Sequence, residues 1–189
     1  MMTIDDMLSQ VAKITGKALN DRPGTQAVKT VSTQKEKVVS EPVKQPPEGV
    51  TYKKSITLSL AKEIAYCIEQ GAKMLGVNVV IAVTNSDGRL ILLNAMDNSF
   101  IASIQAAQDK AYTSAALKMT TEKALSLSRG GALDGLTNGN GILLLGGGCP
   151  LMAGDTVAGA VGVSGGTKDQ DILLAKTGER YFRERINMN

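Results

Sequence analysis

The sequence predicts an α+β fold, in which a mainly antiparallel sheet is flanked by helices. Apolar periodicity follows the order helix, hairpin, helix, hairpin, helix. Consecutive strands are separated by only a few residues, which favours antiparallel pairing. The strand–helix–strand alternation of a parallel Rossmann sheet is missing. We therefore expect the helices between the hairpins to cover one or both faces of the sheet.

The elements of this domain follow from local patterns along the chain. In order, we predict a helix over 56–75, strands over 77–84 and 89–96, a helix over 99–119, a short helix over 121–128, strands over 142–145 and 156–163, and a helix over 169–182. Apolar residues three or four positions apart mark the first helix, which ends near Gly76. A β-branched run, VNVVIAVT, marks the first strand, and Ser86-Asp87-Gly88 is a tight turn into the second.

The second half of the domain follows from the same signals. Inward-facing residues from Ile101 to Leu117 mark the second long helix. The turn over 138–141 leads into the strand predicted over 142–145, and a turn over 150–155 leads into the last strand, TVAGAVGV. Asp169 and Asp171 open the final helix, where carboxylates suit the helix dipole.

Composition changes near residue 52. Residues 20–52 contain four of the five prolines, and no aromatic residue precedes Tyr52, so we predict a flexible linker there and a compact domain over 53–189. Residues 1–19 predict an amphipathic helix, with one apolar stripe running from Ile4 to Leu19. Such a short helix needs a partner in order to fold. It docks either on its own domain or subunit, or on another protein; binding to lipid is less favoured because its polar face is not strongly basic.

The composition excludes several classes of function. The chain has 189 residues and no histidine, which removes Ser-His-Asp and Cys-His mechanisms, metal sites with histidine ligands and His-ligated haem. A net charge of +3, 3% aromatic residues and no tryptophan argue against nucleic-acid binding. No apolar run reaches the roughly 20 residues of a membrane helix. Cys67 and Cys149 are too far apart for a CxxC motif, so a zinc site or disulfide framework is not expected.

Glycine is concentrated in the last third of the domain. Thirteen of the twenty glycines lie in 130–166, chiefly in the strings over 146–150 and 159–166. These glycines either allow tight turns and close packing, or form a pocket for an anion or carboxylate at the start of the last helix. Ser164 completes a GxSxG pattern, but no histidine is present to act as its base, so we expect a helix cap or a hydroxyl that contacts a ligand.

Three further residues have both a structural and a functional interpretation. Asp97 either caps the helix that follows it or belongs to a site. Lys110 lies on an alanine-rich helix and is either solvated or close to an acidic group of a ligand. Cys149 is either a buried small hydrophobe or a ligand or redox group.

Two stretches, MDNSFIASIQAAQDKAYTSAALKM and LLLGGGCPLMAGDTVAGAVGVSGGTKDQD, together resemble the GlcG/HbpS family, which includes the C-terminal domain of PduO. The residues that match the family pattern occur in the same order: Met96-Asp97, Lys110-Ala111, Thr113, Gly147-Gly148, Pro150, Gly154, Gly159, Gly162-Val-Ser-Gly165 and Gln170-Asp171. The resemblance covers about residues 55–180. It implies a profilin-like domain that forms homo-oligomers and binds haem or, through the PduO link, a corrinoid. The adenosyltransferase half of PduO has no counterpart here.

The resemblance also implies a set of cofactor-binding residues: Met96, Asp97, Lys110, Tyr112, Gly147, Gly148, Cys149, Pro150, Gly162, Ser164 and Gly165. Histidines proposed as iron ligands in family members have no counterpart, which leaves Met96, Cys149, Tyr112 and Lys110 as candidates. Asn98-Ser99 replaces the usual Gly-Ala or Asp-Ala after Met-Asp.

The N-terminal segment resembles the encapsulation peptides of bacterial microcompartment cargo. This resemblance implies a cytoplasmic protein inside a microcompartment, which contacts shell or cargo proteins through residues 3–19. We therefore expect an accessory protein that binds a tetrapyrrole or a similar anionic cofactor. The alternative is a structural or interaction protein that has lost the cofactor. An enzyme that uses Cys149 or Asp97 ranks third, because no nucleophile is paired with a base.

Overall fold

The computed structural model of the chain describes residues 47–188, and the predicted helix over 1–19 and most of the predicted linker over 20–52 lie outside them. The elements of this part are α1 (Leu58–Leu75), β1 (Val80–Asn85), β2 (Leu90–Ala95), α2 (Ile101–Leu117), α3 (Thr121–Leu127), β3 (Gly148–Ala153), β4 (Thr156–Ser164) and α4 (Lys168–Asn187). Within the described residues, no helix is long and apolar enough to cross a membrane.

The described strands form one antiparallel sheet in the order β2-β1-β4-β3. Its central pair, β1 and β4, runs from Val80 opposite Ser164 to Asn85 opposite Gly159. Ile81 and Val83 pack into the main core with α1 and α4, whereas Val80 and Ala82 pack against α2 on the other face. This alternation is the period of two expected for a strand buried on both faces. The predicted α+β class and antiparallel sheet are confirmed.

The second hairpin differs from the prediction. Residues 142–145 form no strand, apart from one isolated bridge between Gly139 and Ile142. The predicted turn over 150–155 is instead mostly strand β3, which pairs with β4 and places Pro150 opposite Ala160. Proline signals a turn in many sequences, but an edge strand tolerates it because one side of its backbone faces no partner strand. The apolar run after Gly141 is held by α2 instead, where Thr113 Oγ1 accepts a hydrogen bond from Leu143 N at 2.8 Å.

Small residues allow α2 to lie close to the sheet. Ala82, Gly162 and Gly148 stand in one row across β1, β4 and β3. A Cβ atom added at Gly162 would collide with the carbonyl oxygen of Ala107, and one added at Gly148 would lie 2.5 Å from the carbonyl oxygen of Lys110. Only glycine permits so close an approach of backbone to backbone. The glycine strings therefore serve close packing.

One buried ion pair connects the layers of the fold. Lys110 of α2 is fully buried, and its Nζ donates to Asp171 Oδ2 of α4 and to the carbonyl oxygen of Val163 in β4, both at 2.8 Å. Asp171 Oδ1 accepts a hydrogen bond from Gly166 N at 2.9 Å. Burial lowers the pKa of Lys110, and the hydrogen bond and charge of Asp171 oppose this effect. The pair thus fixes both helices to the central strand β4.

Residues 53–56, which precede α1, pack against the turn between β1 and β2. Lys53 Nζ lies 2.6 Å from Asp87 Oδ1, and Ser86 N donates to Ser55 Oγ at 3.4 Å. Ile56 N then donates to the carbonyl oxygen of Ala158 at 2.8 Å. These contacts hold residues 53–56 against the first hairpin and strand β4.

We expect the Asp171→Ala variant to lose about 3–5 kcal/mol of unfolding free energy, because it leaves the buried Lys110 ammonium without its counter-charge. Urea unfolding of the variant and the parent chain measures the loss. The matched control is Glu122→Ala, which removes the exposed partner of Lys176, 3.4 Å away, and should cost less than about 1 kcal/mol. Equal losses in the two variants would contradict a special role for the buried pair.

Candidate functional site

The structure distributes the predicted cofactor-binding residues over four places. Met96 and Asp97 line an open pocket of about 650 Å³ after β2. Tyr112 lines a smaller pocket on the α2 face of the sheet. Cys149 and Pro150 line a groove between β3 and α4. The remaining residues line none of these pockets: Lys110, Gly147, Gly148, Gly162 and Ser164 are buried, and Gly165 is half-buried. The described domain does not unite them in one pocket.

The glycine-rich anion pocket is already filled by the protein itself. The carboxylate of Asp171 accepts from Gly166 N at the start of α4, where we expected a ligand anion. A Cβ atom at Gly147 would lie 2.6 Å from the carbonyl oxygen of Val163 and 3.1 Å from Lys110 Nζ. These residues therefore enclose the internal ion pair, and the Lys110 ammonium does not face a ligand.

Two predicted helix caps are wrong. Asp97 does not cap α2, because the N-cap residue is Phe100, which makes no side-chain cap hydrogen bond. Ser164 does not cap α4, because Thr167 does so in a capping box with Gln170. Ser164 instead ends β4 as a buried residue.

The groove between β3 and α4 is the best candidate for a site that holds an apolar molecule. Its volume is about 500 Å³, within the range of roughly 300–1,000 Å³ typical of small-molecule sites. Cys149, Pro150, Met152 and Leu173 supply its apolar surface. We call it the β3–α4 groove; its other lining residues are Thr120, Lys176, Thr177, Glu179, Arg180 and Arg183.

The rim of the β3–α4 groove is positively charged. Lys176, Arg180 and Arg183 line it, against the single carboxylate of Glu179 among the described residues. Glu179 lies 3.6 Å from Arg183 in an exposed pair, which is a weak interaction. Arg180 forms no ion pair with another residue of the described range. The groove can therefore offer charge-assisted hydrogen bonds to the carboxylates of an amphipathic ligand.

Neither cysteine has the properties of a reactive thiol. Burial raises the pKa of Cys149 to about 12 and the pKa of Cys67 to about 11. Both thiols therefore stay protonated at neutral pH, and only the thiolate is a good nucleophile. Residues 47–188 also contain no cluster of three or more Cys, Asp and Glu side chains that could hold a metal ion. The two cysteines of the described range therefore supply neither a ready nucleophile nor part of a metal cluster.

The sequence analysis missed most of this groove. Lys176, Arg180 and Arg183 are spaced by four and three residues on α4, so they share one helix face. That spacing is a signal in the sequence, and it predicts a basic stripe. Met152 and Leu173 come from elements far apart in the chain, and no local pattern brings them together.

We expect both thiols to react slowly with iodoacetamide at pH 8 in the folded protein and fast in urea. For Cys149 the raised pKa lowers the thiolate fraction by a factor on the order of a thousand. Mass spectrometry of the alkylated chain checks the rates; fast labelling of native Cys149 would overturn its assignment as inert.

The pKa of Cys149 also makes the stability of the domain depend on pH. Because the folded thiol keeps its proton while the unfolded thiol loses it above pH 9.0, the unfolding free energy should fall as pH rises from 9.0 towards 12.

Comparison with known proteins gives one relative that the match spans almost completely and one of which it spans about a third. An uncharacterized 15.0 kDa protein from the dhaT-dhaS intergenic region of Citrobacter freundii is 40% identical over 133 residues, which are 69% of this chain and 94% of that protein. The corrinoid adenosyltransferase PduO of Citrobacter freundii is 32% identical over 109 residues, which are 56% of this chain but only 32% of PduO.

Solved structures share the fold. The Klebsiella pneumoniae protein ORFY is 35% identical, with a TM-score of 0.68 over 73% of this chain and 97% of that one. The PduOC:heme complex is 26% identical, with a TM-score of 0.63 over 67% of this chain and 94% of that one. The family model described as haem degrading protein HbpS-like matches residues 56–180. That match covers most of the chain and most of the described fold, and the chain therefore belongs to the HbpS-like family.

Proposed function

We propose that this chain is an accessory protein that binds a haem-type tetrapyrrole in the β3–α4 groove. The observation that carries the proposal is the combination of an apolar surface, from Met152 and Leu173 among others, with the cationic rim of α4. A porphyrin has the matching chemistry, because its macrocycle is apolar and its two propionates are anionic. Arg180 and Arg183 would hold the propionates in charge-assisted hydrogen bonds.

The chemistry of the rim favours haem over a corrinoid. The periphery of cobalamin carries amides, which gain less from a cationic rim than carboxylates do. The volume of about 500 Å³ also suits a single flat macrocycle partly inserted between β3 and α4. The PduOC:heme complex adds support, since that relative has the same fold and its structure contains haem.

The groove offers fewer groups that could bind the iron than groups that could bind the carboxylates and the macrocycle. The chain has no histidine, and Lys110 is buried in its ion pair. Met96 and Tyr112 lie in other pockets. Within the groove the sulfur donors are the Met152 thioether and the Cys149 thiol, which keeps its proton. Bound haem would supply a redox-active iron, whereas the chain's own residues hold the carboxylates and exclude water from one face of the macrocycle.

We expect haemin and metal-free protoporphyrin IX to bind the full chain with similar affinity, because the carboxylates and the macrocycle dominate the contacts. The double variant Arg180→Gln/Arg183→Gln should weaken both by about tenfold or more. Absorbance titration across the Soret band measures haemin, and fluorescence measures protoporphyrin.

The matched control is Lys62→Gln/Arg89→Gln, which removes the same charge outside the groove and should leave both affinities unchanged. Undiminished binding by Arg180→Gln/Arg183→Gln would rule out the groove. Binding of haemin without protoporphyrin would show that iron ligation, and not the rim, governs affinity.

Our second proposal is that residues 3–19 direct the protein to shell or cargo proteins of a bacterial microcompartment. Its support is the apolar stripe from Ile4 to Leu19, followed by a proline-bearing stretch, together with the resemblance to encapsulation peptides. This interaction would remain if the chain had lost tetrapyrrole binding altogether.

We expect residues 1–46, fused to a fluorescent protein, to co-sediment with purified microcompartment shells. Val11→Glu places a charge in the apolar stripe and should abolish co-sedimentation, because burying an unpaired carboxylate is costly. Ser9→Glu adds the same charge outside the stripe and should retain it. Equal behaviour of the two variants would contradict docking through the apolar face.

A further inference from the structure

A second concavity lies on the opposite face of the sheet from the β3–α4 groove. It has a volume of about 250 Å³ and is bounded by β1, the turn after β1, α2 and the loop over 138–141. We call it the Tyr112 pocket; it is lined by Thr84, Gly88, Leu90, Gln105, Gln108, Asp109, Tyr112, Asn140 and Gly141. Most of these side chains carry hydrogen-bonding groups, in contrast to the apolar surface of the groove.

Thr84 contributes a polar group that the protein leaves unsatisfied. The residue is 2% exposed, and its Oγ1 has no hydrogen-bond partner among the described residues. Buried hydroxyl groups nearly always have a partner, since an unsatisfied one loses its hydration without compensation. A hydroxyl group of a ligand seated on this side of the pocket would supply the missing partner.

Two glycines hold the aromatic wall of the pocket in place. Gly88 and Gly141 have φ values of 76° and 80°, which strongly favour glycine, and they lie against opposite edges of the Tyr112 ring. A Cβ atom at either position would approach a ring carbon to 3.1 Å. Two separate loops therefore converge on one tyrosine, which fixes the width of the pocket.

The charge of the lining narrows the chemistry of the ligand. Asp109 is its only charged side chain in the described structure, and no lysine or arginine lines the pocket. Gln105 Nε2 donates to Asp109 Oδ1 at 2.7 Å, and Gln108 Nε2 donates to the carbonyl oxygen of Ile104 at 3.0 Å. The amide oxygen of Gln108 and the second carboxylate oxygen of Asp109 remain as acceptors. An anion would meet like charge here, whereas a hydroxyl group can donate to these oxygens and accept from Thr84.

We propose that the Tyr112 pocket binds a small, uncharged polyol. The volume of about 250 Å³ is below the roughly 300–1,000 Å³ typical of sites for drug-sized molecules, which favours a small ligand. A four-carbon polyol has eight non-hydrogen atoms, and its hydroxyl groups match Thr84, Gln108 and Asp109, while its carbon chain lies against Tyr112. This site is separate from the β3–α4 groove, so either site can exist without the other.

Isotope-labelled full-length chain, titrated with erythritol and observed by two-dimensional NMR, tests the proposal. We expect saturable shifts at the amides of Gly88 and Gly141 and at the side chain of Gln108. Thr84→Val removes the hydroxyl group without changing the shape of the side chain, and it should weaken binding by about tenfold, as expected for the loss of one hydrogen bond. Thr156→Val is the matched control, since Thr156 lies outside the pocket. This variant should bind erythritol as tightly as the parent chain does.

Two further probes of similar size separate the classes of ligand. Glycerate, an anion, should cause no saturable shifts, and serinol, a cation, should bind no more tightly than erythritol. Tighter binding of serinol would overturn the polyol and indicate an amine. Shifts spread over the whole surface, or unchanged affinity in Thr84→Val, would overturn the site itself.

Discussion

The ion pair between Lys110 and Asp171 is the constraint on which the rest of the domain depends. A lysine without exposed surface needs a counter-charge and further acceptors, and these come from two other elements, α4 and the end of β4. Gly147 must lack a side chain so that the ammonium fits, and Gly166 must donate to the same carboxylate. The position of α4, and with it the cationic rim of the β3–α4 groove, follows from this arrangement.

Local patterns in the sequence were sufficient for most of the architecture. Periodicity located α1, α2, α4 and the first hairpin, because helices and strands that are buried on one or two faces repeat their apolar residues regularly. It failed at β3, where Pro150 indicated a turn although an edge strand accepts it. Lys110 was misjudged for a different reason: its burial depends on Asp171, sixty-one residues away, and no local window contains both. The groove was missed on the same ground, since β3 and α4 build it jointly.

The two faces of the sheet have different recognition chemistry. On one face, β3 and α4 combine sulfur-bearing and aliphatic side chains with three cations. On the other, α2 and two glycine-bearing loops present hydroxyl, amide and carboxylate groups around Tyr112. The absence of histidine in this chain therefore affects how an iron would be held more than whether a macrocycle fits.

The pairing of β1 with β4 also determines when the domain can form during translation. The central ladder joins Val80 to Ser164, so the sheet cannot close until the chain has been synthesised beyond β4. At ribosomal rates, residues 3–19 leave the ribosome roughly 7 to 30 s before Ser164 does. Residues 3–19 are thus outside the ribosome while the sheet behind them is still open, so synthesis alone separates the appearance of the N-terminal segment from the closing of the sheet.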